Sequence, residues 1–246
     1  MRRDFEQRYV GSAAGWLWGL VHPLVQLMCF KFVFEYCMKI ETPRGQVNQN
    51  YTLYLLAGYL PWLLFRETVQ RSATSLVDNA NLITKTVFPA EIVPLSLFFS
   101  SLLNHLMTLS IVVIGAAWWL HQWSIQILLL PVYMLLTGLL AVGVSWIVSG
   151  LQVYVRDTAQ GVIVLLDLWF WLTPIFIYEE QYPVKFQFLL EYNPLAYLVR
   201  AYRDLLLSPQ LPSLEEAGVI AFYSILLFVA GGLMFRQLKR GFADVL

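Results

Sequence analysis

Charge is what this sequence has least of. Only 13% of its 246 residues are Asp, Glu, Lys or Arg, against 59% hydrophobic, whereas a soluble domain carries about 25% charged residues. Residues 92–155 contain no charged side chain. That run suffices for two membrane helices and a turn at about 20 residues per span. The net charge is zero, so nothing points to nucleic acid as a partner. Cysteine is nearly absent too. Cys29 and Cys37 fall on one helix, about 12 Å apart along its axis and too far for a disulfide, and both read as buried apolar residues. The three histidines, His22, His105 and His121, have no metal-ligand spacing. The sequence has no H-E-x-x-H and no G-x-S-x-G, and no lysine follows a glycine, which excludes the G-x-x-x-x-G-K-[ST] phosphate loop. No catalytic residue, metal or cofactor is therefore expected in this chain. A signal peptide is not expected either, because Met1-Arg2-Arg3 leads into a charged amphipathic segment.

What remains is apolar sequence with a few polar interruptions. The expected fold is an all-α integral membrane protein, one transmembrane domain over 1–246 with six spans at about 17–38, 51–70, 92–120, 125–153, 159–178 and 217–235. Asp4–Trp18 reads as a helix lying on the membrane surface, with Arg2, Arg3 and Arg8 suited to headgroups and Trp16 and Trp18 to the interfacial layer. It reads equally well as a flank of the first span.

The first span carries His22, Gln26, Lys31 and Glu35. An ionisable group at a helix centre costs roughly 2.5–3.5 kcal/mol on insertion scales. Lys31 and Glu35 therefore either snorkel to the interface as an i, i+4 pair or face a polar interior. Phe30 with Phe34 and Phe32 with Tyr36 form ring pairs along the same helix. Gly58 and Pro61 mark the second span, and a polar connection comes after it. Ser72–Val77 can continue that helix, whereas Asp78-Asn79-Ala80-Asn81 can break it. Asn104 and His105 in the third span read as groups satisfied by a neighbouring helix. Gly138 and Gly143 in the fourth read as sites of close helix approach.

The stretch from Arg156 to Pro209 is the least ordinary. It holds a carboxylate, Asp167, four closely spaced rings and Pro174, where a proline inside a span would kink it and let the segment beyond it pivot. Asp167, Phe170 and Pro174 share one helical face at i, i+3 and i+7, the face favoured for the interior. Val184–Leu190 and Leu195–Leu207 are apolar but too short to cross about 30 Å. They suggest a re-entrant hairpin at about 179–207, with Asn193-Pro194 as cap and first turn of its second helix. With the N-terminus inside, ten Lys and Arg side chains fall on the inner face and five on the outer. This places both termini in the cytoplasm and the hairpin outside.

Four stretches carry a resemblance. RYVGSAAGWLWGLVHPL resembles the R-Y-x-x-S-x-x-G-x-x-W…P-L opening of the permease subunits of bacterial polysaccharide ABC exporters. NANLITKTVFPAEIVPLS resembles their inner loop. DLWFWLTPIFIY with EYNPLAYLVRAYRDLL resembles their fifth span and outer hairpin, and RQLKRGFADVL their ending. In this order the four resemble the Wzm permeases of O-antigen export and the TagG permeases of teichoic acid export, within the type-2 ABC permease family. The resemblance implies a homodimer in the bacterial inner (plasma) membrane that moves an undecaprenyl-linked polysaccharide. ATP and Mg would be handled by a separate nucleotide-binding ABC ATPase of the Wzt type. It implies a coupling loop at about 71–90 with Asp78, Asn79, Asn81 and Lys85, joined by Arg156 and Asp157 in the second inner loop. It also implies an outer gate with Pro174, Asn193, Pro194, Arg200 and Arg203.

Rings from the first and fifth spans would line the path, since aromatic faces offer sliding contacts to the apolar faces of sugars. The candidates are Phe30, Phe34, Tyr59, Trp169, Phe170, Trp171, Phe176 and Tyr178, with Lys31, Glu35 and Asp167 as intramembrane polar groups. Export of a teichoic acid, drug or lipid remains open, as does a membrane-embedded enzyme acting on lipid-linked sugar.

Overall fold

A computed structural model describes residues 17–39, 50–85, 88–120, 125–208 and 211–245. The surface helix expected over 4–18, save its last two residues, lies outside these, as do the 40–49 loop and the Lys85 side chain. Among the described residues there are no strands. The helices are α1 (Leu17–Lys31), α2 (Tyr51–Asp78), α3 (Ala80–Lys85), α4 (Ile92–Leu120), α5 (Leu130–Tyr154), α6 (Thr158–Leu172), α7 (Phe188–Glu191), α8 (Pro194–Leu207), α9 (Leu214–Leu238) and α10 (Phe242–Val245). Among the described residues three stretches, Ile92–Trp118, Ile125–Tyr154 and Leu214–Gly241, are long and apolar enough to cross a membrane.

The organising element is α2, which packs against α1, α4, α5, α6 and α8. Asn50 starts it by accepting from the backbone N–H groups of Thr52 and Leu53 at 3.0 and 3.3 Å, the ordinary N-cap geometry. It runs 28 residues, about 42 Å, past the expected end near residue 70 and as far as Asp78. There Asn79 turns its side-chain amide onto Ser75 O at 2.8 Å. Most of its side chains are buried, including Trp62 and Phe65. Of the positions its own protomer leaves at least partly open, Thr52, Leu56, Leu63, Arg66, Gln70 and Thr74 recur at three- and four-residue steps or multiples and form one stripe. Glu67, Arg71, Val77 and Asp78 are open beside it.

Helices α5 and α9 touch through glycine. A Cβ added at Gly143 would run into the backbone of Leu227, and one at Gly231 into the backbone of Gly143. Only hydrogen at both positions lets the two backbones meet, the small-residue contact typical of membrane helices. The remaining glycine of the expected pair, Gly138, makes room for the Phe98 ring.

Three expectations need correction. Cys29 and Cys37 are exposed, because the buried side of α1 and the π-helical turn Phe32–Cys37 is marked by Leu27 and Phe34. Helix α6 stops at Leu172 and is only 15 residues, about 22 Å long, so residues 173–178 do not extend a span. Pro174 therefore does not kink a helix. It ends one, driving Thr173 to extended φ −92°, ψ 136°, as the residue before a proline prefers. The i, i+7 relation of Pro174 to Asp167 disappears with it.

Candidate functional site

The two ends of α2 carry different chemistry. At its Tyr51 end the segment 173–178 and helix α8 fold down onto it. Tyr51 donates its hydroxyl to Phe176 O at 3.0 Å. Arg203, on α8 and almost fully buried, donates from Nη2 to Ile175 O at 2.9 Å and from Nε to Tyr54 O at 3.4 Å. Its guanidinium stands 3.5 Å from the centroid of the Tyr54 ring, a cation–π contact. Gly58 leaves the space it occupies, since a Cβ there would lie 2.6 Å from Nη2.

Asn193 does more than cap. Its Oδ1 accepts from Leu195 N at 3.0 Å and from Trp169 Nε1 at 2.9 Å, and its Nδ2 donates to Thr173 Oγ1 at 3.1 Å. Pro194 takes the first helical position, where a missing N–H costs nothing. Arg200 ties Glu179, at 2.7 Å, to Glu216 at the start of α9, at 2.9 Å. The expected gate residues are thus brought together, and each is bonded or buried.

Between the ends lies a ring cluster centred on Phe176. Its ring centroid is 4.6 Å from Phe30, 4.8 Å from Phe34, 5.0 Å from Phe170 and 5.4 Å from Trp171. Trp62 adds a ring 5.4 Å from Phe170, and Tyr59 donates its hydroxyl to Gln26 Oε1 at 2.8 Å. The structure gathers rings from α1 and the turn after it, from α2, from α6 and from the segment that follows α6. It also shows that Phe34, Tyr59, Phe170, Phe176 and Tyr178 are buried within the protomer, whereas Phe30 and Trp169 are half-buried and Trp171 is exposed. Trp169 is further fixed by its bond to Asn193. Of the expected face, Phe170 turns inward with Val162 and Leu166, while Asp167 turns outward with Trp171 one turn on.

Asp167 has a partner that local reading of its helix does not show. Arg66 Nη2 donates to its Oδ1 at 2.8 Å, with side chains 24% and 54% exposed. The pair joins α2 to α6 on the stripe that the protomer leaves uncovered. At membrane depth a charge exposed to hydrocarbon costs roughly 2.5–3.5 kcal/mol, so a pair placed there calls for water, headgroups, polar cargo or another protein surface beside it. Lys31 and Glu35 are paired at 3.8 Å and each about one-third exposed, at 35%, a contact too long for a hydrogen bond. Asn104 donates to Glu67 at 3.1 Å, and His105 Nε2 meets Tyr202 Oη at 3.2 Å, so both find partners on neighbouring helices, although the buried His105 Nδ1 has none.

At the Asp78 end, Leu76, Ala90, Val93, Val153, Phe235 and Phe242 form one apolar cluster with Ile83 and Phe88 packed on it. This cluster gathers the ends of α2, α4, α5 and α9. Around it Asp78, Asn79, Asn81, Arg156 and Asp157 are all exposed. Thr74 donates to Asp78 at 2.8 Å, and the Arg156 carbonyl accepts from Gln152 at 2.8 Å. Lys239 reaches Glu91 at 2.7 Å. Among the described residues, no group of His, Cys, Asp and Glu could hold a metal ion.

The profile of the ABC-2 type transporter family matches residues 1–207. Two Klebsiella pneumoniae proteins named O-antigen export system permease protein RfbA are 32% and 31% identical to the chain, each alignment covering 99% of it and 92% of the relative. A Myxococcus xanthus protein of the same name is 28% identical over the same shares. With three apolar helices long enough to span and a family match over most of its length, the chain is a multi-pass membrane protein and belongs to the ABC-2 type transporter family.

Proposed function

We propose that this chain is the transmembrane permease of an ATP-driven exporter that moves a lipid-linked, O-antigen-like polysaccharide across the bacterial inner membrane. The observation that carries it is the near full-length similarity to three O-antigen export permeases. In this reading α2, α4, α5 and α9 cross the bilayer, α1 crosses together with the Phe32–Cys37 turn, and α6 crosses with the non-helical segment 173–178 completing its path; both termini are cytoplasmic, and segment 179–207 enters from outside as a re-entrant hairpin. A second copy faces the uncovered stripe of α2 and α6 across the path, and the glycan passes between the copies. The energy comes from a separate nucleotide-binding subunit that holds ATP and Mg.

The architecture supports a mechanical link. The exposed polar rim at the Asp78 end is the docking surface for the ATPase. One continuous helix joins that rim to the hairpin, since α2 begins at Tyr51, beneath Phe176 and Arg203. A push on residues 78–91 is then felt at the hairpin without an intervening loop. Pro61 lies inside α2, where its missing N–H removes one backbone bond and gives the rod its point of bending. Exposed Trp171 and half-buried Phe30 present ring faces to sugar. The buried rings set the shape behind them.

The test is complementation. In a strain deleted for its own O-antigen permease, this chain with its cognate ATPase should restore surface polysaccharide on a gel of whole-cell extract. Restored export of a teichoic acid or a drug instead, with no polysaccharide, would sink the substrate assignment. Turnover of lipid-linked sugar by the purified chain without ATP would sink the transport role.

A further inference from the structure

Arg66 is the residue whose position demands most explanation. It stands about 22 Å along α2 from Tyr51, between the ring cluster and the Asp78 end. A guanidinium has five N–H donors in a planar fork, yet its one hydrogen bond is the single donation to Asp167 Oδ1. The other cation of this helix, Arg71, is about as open, its side chain 20% exposed against 24%, but is engaged by Ser100, Ser101 and Glu67. Among the described residues, Arg66 is the cation of α2 on the face it shares with α6.

Its setting is specific in two ways. Trp171 stands one turn beyond Asp167 on the same face of α6 and is exposed, so a ring face and a guanidinium fork are presented together. Asp167 is more than half exposed, and an ion pair that water can reach is weakly held. An anion with several oxygens can therefore take the fork in bidentate fashion, which a carboxylate bonded through one oxygen does not.

We propose that Arg66 is the binding residue for the diphosphate that joins lipid to glycan, that Asp167 occupies it between substrates, and that Trp171 stacks on the first sugar beyond the phosphates. This rests on the transport reading and adds to it a point of attachment. Release of Asp167 by the diphosphate also unties α6 from α2, so cargo arrival loosens the two helices that flank the path.

The experiment uses the full chain with its ATPase in phosphatidylcholine nanodiscs, with undecaprenyl diphosphate as the probe and bound lipid counted by native mass spectrometry. Arg66→Gln should weaken binding about tenfold or more, the loss expected for a charge-assisted contact. Asp167→Asn, which frees the fork, should strengthen it several-fold. Phosphatidylglycerol, a phosphate on an ordinary lipid, should not displace the probe at equal concentration. Equal binding by wild type and Arg66→Gln overturns the proposal, and so does displacement by phosphatidylglycerol. Should Arg66→Gln fail to fold, Asp167→Asn decides alone, and unchanged or weaker binding refutes it. Complementation in cells is scored separately. A chain that exports no polysaccharide yet binds through Arg66 fails the transport reading, and one that exports with Arg66→Gln binding intact fails only this one.

Discussion

The Tyr51 end and the Asp78 end of one helix are built on opposite principles. At the first, most polar groups are buried and used: Arg203 on two carbonyls and a ring, Asn193 on three partners, Tyr51 on Phe176 O, with the Tyr178 hydroxyl the exception. At the second, polar groups ring a small apolar cluster and stay exposed. Burying a polar group is tolerable only when it is bonded, so the first end is fixed in one arrangement. The second leaves its polar groups exposed to another surface. The proposed gate, which must hold a seal, and the proposed platform, which must bind a partner, call for those two designs. The contrast can be broken by substitution, and the sizes of the effects should rank accordingly.

The largest loss should come from Arg203→Met. It leaves Ile175 O and Tyr54 O without their donor and removes the contact with the Tyr54 ring. An unsatisfied buried group costs about 1–3 kcal/mol, so a total of about 2–4 kcal/mol is expected. In a chain of this size that lowers Tm by about 2–4 °C per kcal/mol, read by a thermal melt in detergent. Gly58→Ala keeps the charge but crowds Nη2, which lies 2.6 Å from the added Cβ, and should move Tm in the same direction by less. Asn193→Ala comes next. It removes an N-cap, worth about 1 kcal/mol, together with the bonds to Trp169 and Thr173. Trp169 should gain mobility, seen as a change in its fluorescence, and a Tm equal to wild type would show that the clamp is idle.

How much of this is legible in the sequence depends on the range of each signal. Asn193-Pro194 announces a helix start because cap and first turn are neighbours in the chain, and the structure has both. The charge-free run 92–155 announces α4 and α5 for the same reason. Arg66 with Asp167 and Arg203 with Tyr54 are separated by 101 and 149 positions, and no periodicity links such pairs. Counting loop cations assigns Arg66 to the inner face and Arg203 to the outer, although both engage the bundle itself. The rings are legible by type but not by exposure, since rings on opposite sides of a short helix look alike in sequence. Cys29 and Cys37 are misplaced on the same ground. In a membrane bundle the outside is as apolar as the core, so an apolar residue does not reveal which it faces.

The Asp78 end should yield smaller numbers, beginning with the Lys239–Glu91 pair. Both side chains are about 40% exposed, at 40% and 39%, and exposed pairs contribute about 0–1 kcal/mol. Burial pushes the Glu91 carboxyl up, but the hydrogen bond and charge of Lys239 outweigh it and hold the group below its ordinary 4.5. A carboxylate with a lowered folded pKa stabilises above its unfolded value, and that contribution is lost as pH falls through the folded one. The effect of Lys239→Ala should therefore be present at pH 7, shrink below about 4.5 and shrink again in high salt. An effect independent of both would mean that Lys239 acts through packing.

Smallest of all for stability, and most informative, is the double change Asp78→Ala with Asn81→Ala. Both residues are exposed. Asp78 holds only Thr74, at 2.8 Å, through a side-chain bond within one helical turn. Substitutions of this kind stay within about 0.5 kcal/mol, so Tm should move by no more than about 2 °C. If this rim receives the ATPase, the same variant should lose the partner on co-purification and fail to export, because interface polar groups left unpaired by truncation weaken a complex although the free chain never notices them. A variant that keeps its Tm and keeps the ATPase would remove the rim from the coupling path. A variant that loses both would show that the Asp78 end is held from within, as the Tyr51 end is, and the division of labour along α2 would not exist.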